Sequence, residues 1–186
     1  GFTGQTNSED SHNGIDNGGI EGEPVYATCQ GMVGYVNDGN HPNVDPGTHS
    51  QSELDEVMGT KDQNYGWGNE IRIECKYEDQ SPEVQEKWEE VLNPQVKSKI
   101  GPGFSLYLQY SHLKTGVYVT EGDTIIPGEQ VAALGNSGIS SGAHFHLGVK
   151  VGESDNASNW YQMFYVDPAI LGFVPSIPGE IVESDQ

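Results

Sequence analysis

AHFHLGVKV, residues 143–151, alternates imidazole with apolar side chains. On a strand, successive side chains project to opposite faces. His144 and His146 then point together into one space, while Phe145 and Leu147 point into a core. The same period of two returns upstream. In FSLYLQYSH (104–112), Phe104, Leu106, Leu108, Tyr110 and His112 share a face. In GNEIRIECK (68–76), Ile71, Ile73 and Cys75 oppose Glu70, Arg72, Glu74 and Lys76, the pattern of a half-buried strand. PVYATCQGMVGYV (24–36) reads as one or two strands broken near Gly31. Residues 117–134 carry the turn signals EGD and PGE between short strands. The chain is therefore expected to be mainly β, built of antiparallel sheets.

Composition agrees. Twenty-five glycines and nine tyrosines in 186 residues, with short apolar runs, fit a β-rich domain with many tight turns. The length suits one domain with a real core that needs no disulfide staples. One helix stands out, PEVQEKWEEVLN (82–93). Ser81 is the N-cap candidate and Pro82 fits the first helical position. Val84, Trp88, Val91 and Leu92 form its apolar stripe. Residues 1–19 are polar and glycine-rich and read as loop. Residues 37–66 form a long polar stretch, with a helical turn at 51–58.

Acidic residues outnumber basic ones 28 to 8, a net charge of −20. That sign argues against binding a nucleic-acid backbone or anionic lipid. No apolar run is long enough to span a bilayer. The chain opens at Gly1 without a basic and apolar leader, so it is expected to be a processed piece whose targeting information lay upstream.

The histidines carry the chemistry. His144 and His146, converging from an apolar strand, suit zinc, which takes nitrogen ligands in tetrahedral geometry; two histidines on a solvated face is the competing reading. In HNGID, His12 and Asp16 are four residues apart around Gly14, which lets a loop bend both toward one point. Two histidines and one aspartate leave a fourth position open for water; the competing reading is a turn. His112 ends its strand and is, alone, a satisfied edge residue.

Taken together, the segments resemble a family. HNGIDNGGIEGEPVYA (12–27), GWGNEIRI (66–73), YSHL (110–113), VTEGDTIIPGEQVAALGNSGISSGAHFHLGV (119–149) and VDPAIL (166–171) follow the order of the lysostaphin-type, or LytM-like, zinc metallopeptidases. The resemblance implies a groove holding one Zn²⁺ with His12, Asp16 and His146 as ligands. It implies His112 and His144 as unligated catalytic histidines. Tyr110, on the face of His112, and Asn136 and Ser137, in the glycine-serine loop 135–142, are weaker candidates for the groove wall. The pattern departs at Gly148, where an acidic residue is frequent. No H-E-x-x-H motif is present, so a thermolysin-like glutamate base is not expected.

The implied function is hydrolysis of peptide bonds in bacterial peptidoglycan, in a cross-bridge or a stem peptide. The setting would be extracellular, cell-wall, periplasmic or virion-associated, as part of a larger multidomain protein or particle. The peptidase domain would span 1–172 with insertions at 37–66 and 77–101, and 173–186 would be a linker or tail. Two other readings stand beside it: a non-catalytic zinc-binding module of the same fold, and a carrier-type β-barrel suggested by the turn-rich 119–135. The carrier reading lacks a lysine at a hairpin tip. In loop 37–49, Asp38, Asn40, Asn43 and Asp45 offer oxygens to Ca²⁺, though the spacing is not an EF-hand and a solvated turn-rich loop is the better fit. His41 and His49 read as surface residues. Cys29 and Cys75 could pair as a disulfide in an oxidising compartment or sit as two buried thiols; they become cross-strand neighbours if 25–36 pairs antiparallel with 68–76 in a register that also opposes Val33 to Ile71.

Overall fold

The computed structural model describes residues 13–96 and 99–172; the expected tail, 173–186, lies outside them. Its centre is a seven-stranded sheet in which all pairings are antiparallel. The strands are β1 (Gly14–Gly18), β3 (Gly31–Asn37), β5 (Asn69–Lys76), β6 (Phe104–Leu113), β7 (Thr124–Ile125), β10 (His144–Glu153) and β11 (Phe164–Val166). Their order is β1-β10-β6-β5-β3-β7, and β11 pairs with β10 beyond the end of β1. Two small sheets flank it: β2 (Pro24–Tyr26) with β8 (Gln130–Ala133), and β4 (Asn43–Val44) in parallel with β9 (Gly138–Ile139).

The alternation read from the sequence sorts the two faces. Val33, Ile71, Ile73, Leu106, Leu108, Tyr110, Phe145, Leu147 and Val149 are buried in one apolar core. The other face is polar, and cross-strand register arranges it in rows. Asp16, His146 and Ser111 form one row. Gly14, Gly148, Gln109, Arg72 and Tyr35 form the next. Tyr165, Lys150, Tyr107 and Glu74 form the third.

Two helices are present where the sequence suggested one plus a turn. α1 (Gln51–Gly59) is started by a capping box: Ser50 Oγ accepts from the Glu53 amide, and the Glu53 carboxylate accepts from the Ser50 amide at 2.7 Å. α2 (Pro82–Leu92) has Ser81 as N-cap and Pro82 in its first turn. Trp88 and Leu92 bury its stripe in the core. None of the described helices is long and apolar enough to cross a membrane.

Four expectations change. Residues 14–18 are strand, not loop, because β1 pairs with the exposed edge of β10. Stretch 37–66 is ordered by β4, α1 and a 3₁₀ segment at Lys61–Gly66. The Cys29–Cys75 disulfide does form, with Cα atoms 6.2 Å apart. The register beside it differs by two residues from that expected, with Val33 opposite Ile73, and shifts again before Tyr35. A shift of two preserves the buried face, and Cys29 itself lies ahead of β3, which begins at Gly31. Finally, the oxygens proposed for Ca²⁺ serve the chain itself: Asp38 accepts from the amides of Gly116 and Val117, and Asp45 from that of Gly47.

Candidate functional site

Asp16, His112, His144 and His146 line one cleft of about 290 Å³, with Trp67, Ser140 and Pro46 among its other walls. Two strands and the end of a third bring them together. β1 sets Asp16 opposite His146, and His146 Nδ1 lies 2.9 Å from Asp16 Oδ1. His144, two residues along β10, has Nε2 at 3.8 Å from the same oxygen. The rings of His112 and His144 are 4.8 Å apart between centroids. His12 lies outside the described residues.

Gly14 acts here differently from the bend read in the sequence. A Cβ at this position would sit 2.4 Å from the Leu147 carbonyl oxygen and 2.6 Å from His146 Nε2. The glycine lets the imidazole lie across β1, which turns Nδ1 toward Asp16.

His112 reaches the cleft through a break in the strand rule. Simple alternation puts it on the core face with Tyr110. The β5–β6 ladder, however, is irregular between Asn69 and Ile71, and His112 has φ of 60°. A bulge with one residue in the left-handed region re-aims a side chain. His112 thereby turns away from Tyr110 and toward His144. Tyr110 is not a groove residue: it is 1% exposed, and its hydroxyl meets Thr28 Oγ1 and the Tyr26 carbonyl inside the core.

Backbone carbonyls orient two of the rings. His112 Nδ1 is 2.8 Å from the Ser137 carbonyl oxygen, and His144 Nδ1 is 2.8 Å from that of Gly142. A carbonyl can only accept, so each Nδ1 donates, and in the neutral ring Nε2 carries the lone pair. His146 turns its Nδ1 to a carboxylate instead. Burial is the main influence on His112 and lowers its pKa to about 4, against a smaller upward effect of the Ser137 carbonyl. Its ring is neutral at pH 7.

Ser137 and Asn136 belong to the support of the site. Ser137 Oγ donates to the Leu113 carbonyl and accepts from the Asn69 amide, which holds the carbonyl that orients His112. Asn136 Oδ1 accepts from Ser140 Oγ at 2.6 Å, and Asn43 from loop 37–66 donates to the carbonyls of Asn136 and Ser140. Pro46 of that loop lines the cleft. Helix α2 contributes no residue to it. His41 and His49 stand apart, bonded to Asn37 and Asp45 of their own loop.

Trp67 was not singled out by the sequence. Its ring centroid lies 5.4 Å from that of His146 and 6.1 Å from that of His112, and its carbonyl accepts from the His112 amide. The available signal was a large aromatic between two glycines. Gly68 has φ of 65°, and a Cβ there would meet Ser137 backbone atoms at 2.5 Å.

The donor set suits zinc. A carboxylate oxygen and an imidazole nitrogen approach each other from adjacent strands at the wall of an open cleft, and both are ordinary zinc ligands. Among the described residues no group of three or more His, Cys, Asp or Glu gathers as a metal site.

The chain matches no family model and no curated relative. Solved structures do match. The catalytic domain of a mutant of the prophage-encoded M23 protein EnpA from Enterococcus faecalis is 18% identical, with 90% of this chain and 84% of that one covered and a TM-score of 0.49. The catalytic domain of the antimicrobial peptidase lysostaphin from Staphylococcus simulans is 20% identical, with 92% and 86% covered and a TM-score of 0.48. Longer lysostaphin gives 17% identity and a TM-score of 0.50 over 100% of this chain and 53% of its own length. Identity this low speaks to fold alone, and the fold of this chain is the lysostaphin type.

Proposed function

We propose that the chain is a zinc-dependent endopeptidase that hydrolyses peptide bonds in bacterial peptidoglycan. The observation that carries this reading is the division of labour among imidazole nitrogens. His112 and His144 are tied back through Nδ1 to carbonyls, while His146 offers Nδ1 to the carboxylate of Asp16. His146, Asp16 and His12 would hold the metal, which when bound supplies Lewis-acid polarisation of the scissile carbonyl and activation of water. His112 and His144 would then serve as proton acceptor and donor and as hydrogen-bond partners for the developing oxyanion, through Nε2. The lowered pKa of His112 keeps its ring neutral at pH 7, with Nε2 unprotonated.

The resemblance to lysostaphin-type peptidases carried by HNGID, YSHL and HFH, in that order, supports the peptidoglycan substrate class. The Cys29–Cys75 disulfide suits an oxidising, extracytoplasmic setting. A non-catalytic module of the same fold would need neither histidine held by its Nδ1. Digestion of purified peptidoglycans of different cross-link type, with and without a chelator, tests the reading. Chelator-sensitive cleavage is expected, and mass spectrometry of the new termini names the bond. One bound zinc per chain with no cleavage of any wall type would favour the module.

A further inference from the structure

Beside the histidine cleft lies a second one, of about 440 Å³, and Asn13 and Trp67 line both. That volume is in the range of small-ligand sites. Tyr35, Arg72, Gln109, Lys150, Trp160 and Tyr165 form most of its wall. Most of these come from the second and third rows of the polar sheet face, next to the row of Asp16 and His146.

The charge here runs against the rest of the molecule. Only 8 basic residues stand against 28 acidic ones, and Arg72 is the single arginine. Its guanidinium carbon lies 4.8 Å from the ring centroids of both Tyr35 and Trp160. Two aromatic faces thus hold the planar fork in a slot. Nε is committed to Glu70 at 2.5 Å, and no described residue accepts a hydrogen bond from the Nη groups. Lys150 Nζ donates to the Trp160 carbonyl at 2.6 Å and lies 4.2 Å from the Tyr165 ring centroid. Burial lowers the Lys150 pKa to about 8, and the charge of Arg72 acts in the same direction. Gly148 lies between His146 and Gln109 and beneath the Asn13 carbonyl, 3.6 Å from where a Cβ would sit. A Cβ there would make only ordinary contacts, at 3.6 Å to His146 Nε2 and 3.7 Å to Gln109 Oε1, so bulk is absent without being forbidden.

We propose that this second cleft is a substrate subsite for a carboxylate-bearing residue flanking the scissile bond, with Arg72 as its bidentate partner and Lys150 as the second charge. Guanidinium forks match carboxylates geometrically as well as electrically. The subsite rests on the peptidase reading, because Asn13 and Trp67 are what join the two clefts into one groove.

The test is a set of acetylated, amidated pentaglycine peptides with a single Glu or Gln at each position in turn. Binding to the wild-type, chelator-stripped protein is read by tryptophan fluorescence and calorimetry, so that a carboxylate cannot report on the metal. At one position Glu should bind at least about tenfold tighter than Gln, and the preference should fall with added salt. Lys150→Met and Arg72→Gln should each erase most of it. Equal binding of every Glu and Gln pair, or no binding of any Glu peptide, overturns the subsite. The wild-type comparison decides even if Arg72→Gln, by stranding Glu70, fails to fold. Cleavage of the peptides by the metal-loaded protein is scored separately. Cleavage without a carboxylate preference removes the subsite and leaves the peptidase; a preference without cleavage of these peptides or of the peptidoglycans leaves a carboxylate-binding cleft and removes its role as a substrate subsite.

Discussion

His146 and His112 occupy the same cleft, yet the consequences of losing them should differ. His146→Ala removes a nitrogen facing Asp16, so zinc stoichiometry by mass spectrometry should fall to near zero and activity with it. His112→Ala removes a ring held through Nδ1 by a carbonyl. Zinc should remain bound while turnover drops about 10²- to 10⁴-fold. Normal turnover in that variant would remove His112 from the chemistry. His112 also sets an acid limit on stability. Its folded pKa, about 4, lies below the ordinary 6.5, so the unfolded chain binds the proton more readily. The metal-free protein should lose up to ~3 kcal/mol between about pH 6.5 and pH 4. Urea melts across that window check this, and His112→Gln should show a shallower slope. The identities of these residues were legible in the sequence. The orientation of His112 was not, since it depends on a bulge and a positive φ that strand alternation does not encode.

At the scale of elements, β1 and β10 make the site by lying side by side. Gly14→Ala tests that contact. With 2.4 Å to the Leu147 carbonyl and 2.6 Å to His146 Nε2, the added methyl must push β1 or the imidazole aside. A loss of about 1–3 kcal/mol in thermal unfolding and a marked drop in zinc affinity are expected. Unchanged affinity would mean that the ring position tolerates displacement. The helix at 82–93 and the strand at 68–76 were readable because each carries a strong local period and, for the helix, a cap. The strand at 14–18 was not, because GIDNG has no apolar alternation of its own and becomes a strand only against the edge of β10. Tyr110 shows the converse: its strand was read correctly, but Thr28 and Tyr26 draw its hydroxyl into the core.

Over the whole molecule two long-range features matter. The Cys29–Cys75 bridge closes a separation of 46 residues. In the chain-entropy account, replacing both cysteines by alanine should cost about 2–4 kcal/mol. Chemical denaturation checks it, with a larger m-value expected because the unfolded chain without the cross-link exposes more surface. The net charge of −20 should slow approach to anionic wall polymers, so cleavage of whole walls should rise with moderate salt while cleavage of a short neutral peptide does not. A salt response identical for both would show the charge to be turned away from the substrate path.

The sequence by itself determined the class of the fold, because period-two burial and turn chemistry are local properties of a chain. It also supplied the histidine and aspartate side chains proposed for metal and proton chemistry, because those are residue identities. Only the tertiary structure decided how the cleft is formed. Cross-strand register sets Asp16 against His146 and lays Arg72 and Lys150 in the neighbouring rows. Carbonyls of Ser137 and Gly142 choose the nitrogen that each ring presents. Loop 37–66 lines one wall through Pro46. These are contacts between segments far apart in the chain, and no local pattern specifies them.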